Sequence, residues 1–330
     1  MVSDYRLSEN RKTYFDKLYN LNLQTGIMPG LVYLYMPALA QKYGWNNEQK
    51  LWFAFLNGMT QNPITSLRMF NQLPECPPAG ATLSKFDAWF NLDWERLQFD
   101  VDRRYQKRDT LESIKTYAKL VDEHGSQEEM LTEKSYSELW KLVRNSYYSF
   151  GRLSSFSYLE YVHLNGFGAE CDDLVFGDKD GSKSHRNGMM FLFGYDHMVW
   201  DKRADNGFDG SYDMQKIVPW LNDQAMRYLD EFKTKHPHKN IGMFTLESNL
   251  CTFKNHFFGR RYPGVYADMA WERIEWAESR GVDCKVFREM REEHLPEWLR
   301  WECESKPMTL KEKAAIFPKT GFPFRGEYFL

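Results

Sequence analysis

The sequence is short of several things at once. No apolar run approaches the roughly 18 residues a membrane span requires, and the N-terminal stretch MVSDYRLSENRKTYF has no apolar signal core. The expectation is a soluble cytoplasmic protein without membrane partners. Cysteine is scarce: five in 330 residues, at 76, 171, 251, 284 and 303, with no CxxC pair. An odd, scattered set fits a reducing compartment and argues against a thiolate zinc site. The nucleotide-cradling pattern GxxxxGK[ST] is missing, since a window opened at Gly177 meets Ser182 where the second glycine should stand. With a net charge of −3 there is no overall positive field, so contact with nucleic acid must come from local basic patches. Internal repeats and low-complexity segments are absent as well.

What is present is apolar and helical. A hydrophobic share of 42%, with 16% aromatics, can bury a sizeable core. Residues 4–22 read as an amphipathic helix, and GLVYLYMPALAQKYG follows, interrupted at Pro37 and closed at Gly44. Asn46 is a good N-cap for Leu51–Met59, apolar nearly all the way round and therefore interior. Asn62 before Pro63 restarts a helix. Asp109-Thr-Leu-Glu112 and Ser135-Tyr-Ser-Glu138 have capping-box spacing for helices at 110–124 and 136–149, and Thr309-Leu-Lys-Glu312 caps a late short one. Further helices are expected at 154–164, 212–235, 267–280 and 285–303. The fold class is mainly α, a compact multi-helical architecture: a single domain, or helical lobes at 1–150 and 151–330.

The chemistry concentrates in GMFTLESNLCTFKNHFFGRRYPGVYADMAWER, from Gly242 to Arg273. Leu246, Leu250, Phe253 and Phe257 recur with the spacing of a buried stripe. One step around the cylinder stand Glu247, Cys251 and Lys254. Gly259 supplies a left-handed stop, and Arg260, Arg261, Tyr262, Pro263 and Gly264 form an exit loop whose two guanidiniums suit phosphate or carboxylate oxygens. The same pattern also fits a core helix with a Glu–Lys surface pair and a solvated basic loop.

Three other places carry signals. Asn57 and Gln61, four apart in the interior helix, either satisfy neighbouring backbone or read a hydrogen-bonding ligand such as a base edge. Gly181-Ser-Lys-Ser-His-Arg-Asn-Gly188 packs Lys183, Ser184, His185 and Arg186 into a loop that enters a helix at about Asn187, a natural anion cradle or a charged surface loop. Leu164-Asn-Gly-Phe-Gly168 resembles the turn of a helix-hairpin-helix motif, although a plain turn between helices explains it too. Asp196, His197 and Asp201 lack a metal-ligand spacing, and no metal site is expected.

Three phrases together, LNGMTQNP (56–63), GSKSHRNG (181–188) and ESNLCTFKNHFFGRRYPGVYAD (247–268), resemble phage-encoded α-glutamyl/putrescinyl thymine pyrophosphorylases, the amino acid:DNA transferases. The resemblance covers most of residues 15–275 and implies a helical, distantly DNA-glycosylase-like fold acting in the host cytoplasm. The implied reaction is on double-stranded DNA carrying pyrophosphorylated 5-hydroxymethyl-deoxyuridine. An amine, from an amino acid such as glycine or serine or from a polyamine, displaces pyrophosphate. On this reading Glu247, or else Asp268, is the base. Lys183, Arg186, Arg260 and Arg261 steady the leaving group, with Ser184, His185, Asn187, Lys254 and Tyr262 lining the same site. Asn57, Gln61 and Asn62 would read a flipped base. Cys251 could add to the pyrimidine as thiolate, favoured by Lys254. No cofactor is required, though Mg2+ can accompany the pyrophosphate. The competing readings are a DNA-binding module that positions a partner DNA kinase, and a base-excising glycosylase.

Overall fold

The computed structural model describes residues 6–100, 104–176, 183–196, 214–297, 299–300 and 309–320, and of residues 104, 183, 214–216 and 316–320 the backbone alone. Among the described residues every regular element is helical. In chain order they are α1 (Ser8–Thr25), α2 (Val32–Tyr43), α3 (Asn47–Thr60), α4 (Pro63–Gln72), α5 (Ser84–Leu92), α6 (Arg104–Arg108), α7 (Thr110–His124) and α8 (Gln127–Leu131). Then come α9 (Tyr136–Ser146), α10 (Arg152–Leu164), α11 (Lys183–Leu192), α12 (Met214–Lys235), α13 (Met243–Phe257), α14 (Val265–Glu278), α15 (Lys285–His294) and α16 (Leu310–Thr320).

The chain forms two compact units, each assembled from separated stretches. The first comprises Met1–Met28, Cys171–Trp271 and His294–Leu330; the second comprises Pro29–Glu170 and Glu272–Glu293.

In the second unit α3 is the axis. Its capping box is complete: Asn46 Oδ1 accepts from the Gln49 amide at 2.9 Å, and Gln49 Oε1 accepts from the Asn46 amide at 3.2 Å. From Leu51 to Thr60 every residue is buried, as an apolar surface on all sides requires. Helix α10 crosses it at Gly58, where an added Cβ would stand 3.1 Å from the Tyr158 Cβ. Around the crossing the Phe55 ring stacks on Tyr117 at 3.8 Å, and Tyr147, Phe150 and Tyr158 complete the cluster.

Some expected punctuation differs. Helix α2 runs through Pro37 and ends at Gly44 (φ 63°); the proline forfeits one amide bond, and burial of Leu34, Met36, Leu39 and Ala40 outweighs it. Helix α7 begins at Thr110 as expected, but the Asp109 carboxylate accepts from the Ser149 hydroxyl instead of capping it. After Leu164 no second helix follows directly. The amides of Gly166 and Phe167 bond the carbonyls of His163 and Val162 at 2.9 and 3.1 Å, so the turn closes α10 and its amides are spent there.

In the first unit the axis is α13. Leu246, Leu250 and Phe253 are fully buried, and at about 1.5–3 kcal/mol per buried side chain they hold a 15-residue helix that alone would be marginal. Helix α1 covers one flank: Phe15 meets Phe253 edge-on at 5.1 Å, and Asn22 Nδ2 donates to Asn249 Oδ1 at 2.7 Å. Helix α12 lies behind α1, with Phe232 stacked on Tyr19 at 4.6 Å. Helix α11 packs closest of all, because a Cβ at Gly188 would collide with the Leu250 carbonyl and stand 3.0 Å from its Cα.

Replacing Gly188 with alanine drives a methyl into the α13 backbone, and the roughly 1 kcal/mol of helix propensity gained does not offset it. The expected outcome is a net loss of about 1–3 kcal/mol, read as a lower urea midpoint with unchanged m-value.

Candidate functional site

Helix α13 ends as its sequence asks. Gly259 adopts φ 58°, its amide bonds the His256 carbonyl at 3.1 Å, and the Arg260 amide bonds Asn255 at 3.0 Å. This double closure turns the chain sharply, so Arg260 and Arg261 emerge beside the helix they follow. The two guanidiniums then part company. Arg260 is exposed, 5.3 Å from the Phe258 ring centre. Arg261 is half-buried over Tyr266, at 4.9 Å.

The 181–188 segment was expected as a loop reaching a helix near Asn187. Its described part is instead the opening of α11, helical from Lys183. His185, Arg186 and Asn187 are buried, because the bare Gly188 lets this turn press onto α13. Residues 177–182, including Gly181 and Ser182, lie outside the described residues, as does the Lys183 side chain. Arg186 donates to the Phe176 carbonyl at 3.0 Å and so braces the approach to α11.

The turn lands on the polar stripe of α13. Lys254 Nζ donates to Ser184 Oγ at 3.1 Å and lies 5.8 Å from the same Phe258 ring that Arg260 covers. His185 Nδ1 lies 3.1 Å from Glu247 Oε1, with the imidazole fully buried and the carboxylate 8% exposed. The other ring nitrogen faces the Leu174 carbonyl at 3.0 Å. A carbonyl can only accept, so Nε2 carries its hydrogen, and Nδ1 is the ring nitrogen turned to the Glu247 carboxylate. Cys251, half-exposed, follows Glu247 by one turn. Tyr266 closes the group: its hydroxyl meets Thr252 Oγ1 at 2.8 Å, and burial pushes the phenol up to about 12 while Arg261 draws it down and Cys251 and Glu247 oppose that pull.

Asp268 and Tyr262 have other engagements. The Tyr262 hydroxyl donates to Asp268 Oδ2, and Lys313 Nζ from α16 does so at 2.7 Å, all three groups being buried. This network fastens α16 to the start of α14. His256 is fully buried and neutral. Tyr14 bonds its Nδ1 at 2.9 Å, and burial first, then the Arg261 charge, depress its pKa to about 3.

In the second unit Asn57 is fully buried, accepting from Ser66 Oγ at 3.0 Å. Asn62 Oδ1 caps α4 by accepting from the Ile64 and Thr65 amides at 3.1 and 3.3 Å. Gln61 is half-buried and donates to Ser157 Oγ at 2.7 Å from a left-handed backbone, φ 47°. Of the three amides it is the one with a side chain still partly exposed. Asp196 is ion-paired with Arg11 at 2.5 Å, while His197 and Asp201 lie outside the described residues. The Arg11 pairing and the Lys313 anchor escape sequence reasoning, because each joins residues far apart in the chain.

A family model of amino acid:DNA transferases matches residues 32–262, more than half the chain, and the chain belongs to that family. It is a transferase that acts on DNA. The "Serinyltransferase" of Salmonella phage ViI is 28% identical over 302 residues, covering 84% of this chain and 71% of that protein. No solved structure matches. Family membership sets aside the non-catalytic DNA-binding module and the glycosylase. Among the described residues no helix is long and apolar enough to cross a membrane.

His256 gives this unit an acid sensitivity with a definite sign. Its native pKa lies below the ordinary 6.5, so between about pH 6.5 and 3 the unfolded chain binds the extra proton and stability falls as pH falls. Urea midpoints followed over that range are expected to drop less steeply in His256→Gln than in the wild type.

Proposed function

We propose that the protein transfers an amino acid onto pyrophosphorylated 5-hydroxymethyl-deoxyuridine in double-stranded DNA, releasing pyrophosphate, and that serine is the leading co-substrate. The observation that carries this reading is the meeting of α11 with the polar stripe of α13: a carboxylate partnered by a buried imidazole, and cations on the neighbouring turns. The name of the phage ViI relative favours serine over glycine or a polyamine.

An amino acid arrives as an ammonium ion, and its nitrogen cannot attack until a proton leaves. Glu247 is the acceptor, with His185 holding the imidazole side of the pair in one tautomer through Leu174. The free amine then attacks the exocyclic methylene carbon; the new C–N bond forms as the C–O bond to pyrophosphate breaks. Negative charge grows on the departing oxygen, and Lys254 and Arg260 offset it, a role supported by the approach of both cations to the Phe258 ring. Asp268, tied to Lys313 and Tyr262, serves the architecture. The scheme requires no cofactor, and Mg2+ would enter only as counter-ion of the pyrophosphate. A partner DNA kinase would supply the activated base.

The test is direct: purified protein, DNA bearing the pyrophosphorylated base, serine, glycine and putrescine in separate reactions, and product nucleosides weighed by mass spectrometry. A serine adduct with stoichiometric pyrophosphate is expected; no adduct with any amine overturns the proposal. Glu247→Gln is expected to lower kcat by roughly 100-fold or more, in the range of general-base removal, with DNA affinity retained by gel shift. Cys251→Ala separates direct displacement from a thiolate-assisted route. Turnover within about 3-fold of wild type selects direct displacement, because removing a true nucleophile costs orders of magnitude.

A further inference from the structure

The exit loop of α13 carries two arginines side by side in the chain, but their guanidiniums are held by different parts of the protein. Arg260 is exposed and shares the Phe258 ring with Lys254. That arrangement is open, doubly cationic and suited to a multiply charged phosphate. Arg261 is half-buried, its guanidinium 4.9 Å above the Tyr266 ring. A guanidinium held over a ring presents a planar fork of donors, which a lysine could not reproduce.

The platform is itself fixed. Tyr266 is 5% exposed, its hydroxyl is bonded to Thr252 Oγ1 at 2.8 Å, and Thr252 donates to the Ser248 carbonyl at 3.0 Å. Thr252 and Ser248 are the chain neighbours of Cys251 and Glu247. Arg261 is thereby tied through Tyr266 to Thr252, on the same helix as Glu247 and little more than a turn beyond it, so a guanidinium and a carboxylate stand on adjoining elements. An α-amino acid carries the complementary pair, an ammonium and a carboxylate one carbon apart. A polyamine carries cations only, so seating it would set an ammonium against Arg261, a repulsive like-charge contact.

Resting on the reaction proposed above, we infer that Arg261, seated on Tyr266, binds the carboxylate of the incoming amino acid while Glu247 receives its ammonium, so that the site selects α-amino acids over polyamines and carboxylate-free amines. The guanidinium has five donors, enough to keep its protein contacts and donate two parallel bonds to a carboxylate. Arg260 and Lys254 then serve the departing phosphate. Adjacent arginines thus divide the two anionic groups of the reaction between them.

The experiment compares serine with ethanolamine, which is serine without its carboxylate, and with putrescine, using the full chain and DNA bearing the pyrophosphorylated base. For the wild type, kcat/KM for serine is expected to exceed that for either amine by about 100-fold or more, as when a site built to bond a substrate group meets an analogue lacking it. In Arg261→Gln, serine should fall by a similar factor while ethanolamine stays within about 3-fold of wild type, collapsing the selectivity. Arg261→Lys, which keeps the charge and loses the fork, should also lose most of the serine preference, and it guards against a fold defect in the glutamine variant. Arg260→Gln should lower all amines together. Equal losses for serine and ethanolamine in both Arg261 variants would overturn the inference and leave the transfer reaction standing. Absence of transfer from any amine by the wild type removes the reaction and this inference with it.

Discussion

The polar cluster of the first unit depends on two helices touching backbone to backbone. Helices ordinarily stand 8–10 Å apart because side chains intervene; at Gly188 none does, and the turn before it comes down onto α13. That approach carries His185 to Glu247 and Ser184 to Lys254. A polar stripe that would otherwise be a solvated face becomes a partly dry one. In such surroundings a carboxylate and a lysine act more strongly on whatever enters than they would in water.

Dry surroundings impose a second requirement: each buried charge or dipole needs a partner. The first unit meets it with links between distant stretches. Arg11 reaches Asp196 and the Phe191 carbonyl, Lys313 reaches Asp268, and Tyr14 reaches His256. A buried ion pair such as Lys313–Asp268 is a weak source of net stability, because desolvation consumes most of the Coulomb attraction. Breaking one by removing a single partner is costly all the same, since the other charge stays behind. Such links make the packing of α1, α14 and α16 specific even where they add little to its depth.

Much of the frame was legible because it follows from local rules. The caps at Asn46, Ser135 and Thr309 and the stop at Gly259 are bonds between residues a few positions apart, and they formed as written. The buried stripe of α13 was equally plain in its spacing. Local rules misled where a distant partner outbid them. Asp109 gave its carboxylate to Ser149, Pro37 was absorbed into a well-packed helix, and the basic segment before Gly188 proved helical and largely buried. Within the site, the stripe Glu247, Cys251 and Lys254 was visible in advance, as was the basic turn; the pairing of His185 with Glu247 was not. The two adjacent arginines looked interchangeable in the sequence and stand on different rings in the structure.

The chain by itself determined that the protein is helical, where most helices begin and end, and which family it belongs to, because periodicity, caps and motif phrases are properties of neighbouring residues. Tertiary structure alone decided which polar groups are buried together, which stretches share a unit, and that Arg260 and Arg261 lie over different rings. The physical reason is one of range. Hydrogen-bonded caps and helical stripes reach four residues along the chain, whereas the burial of His185 against Glu247 joins residues tens of positions apart.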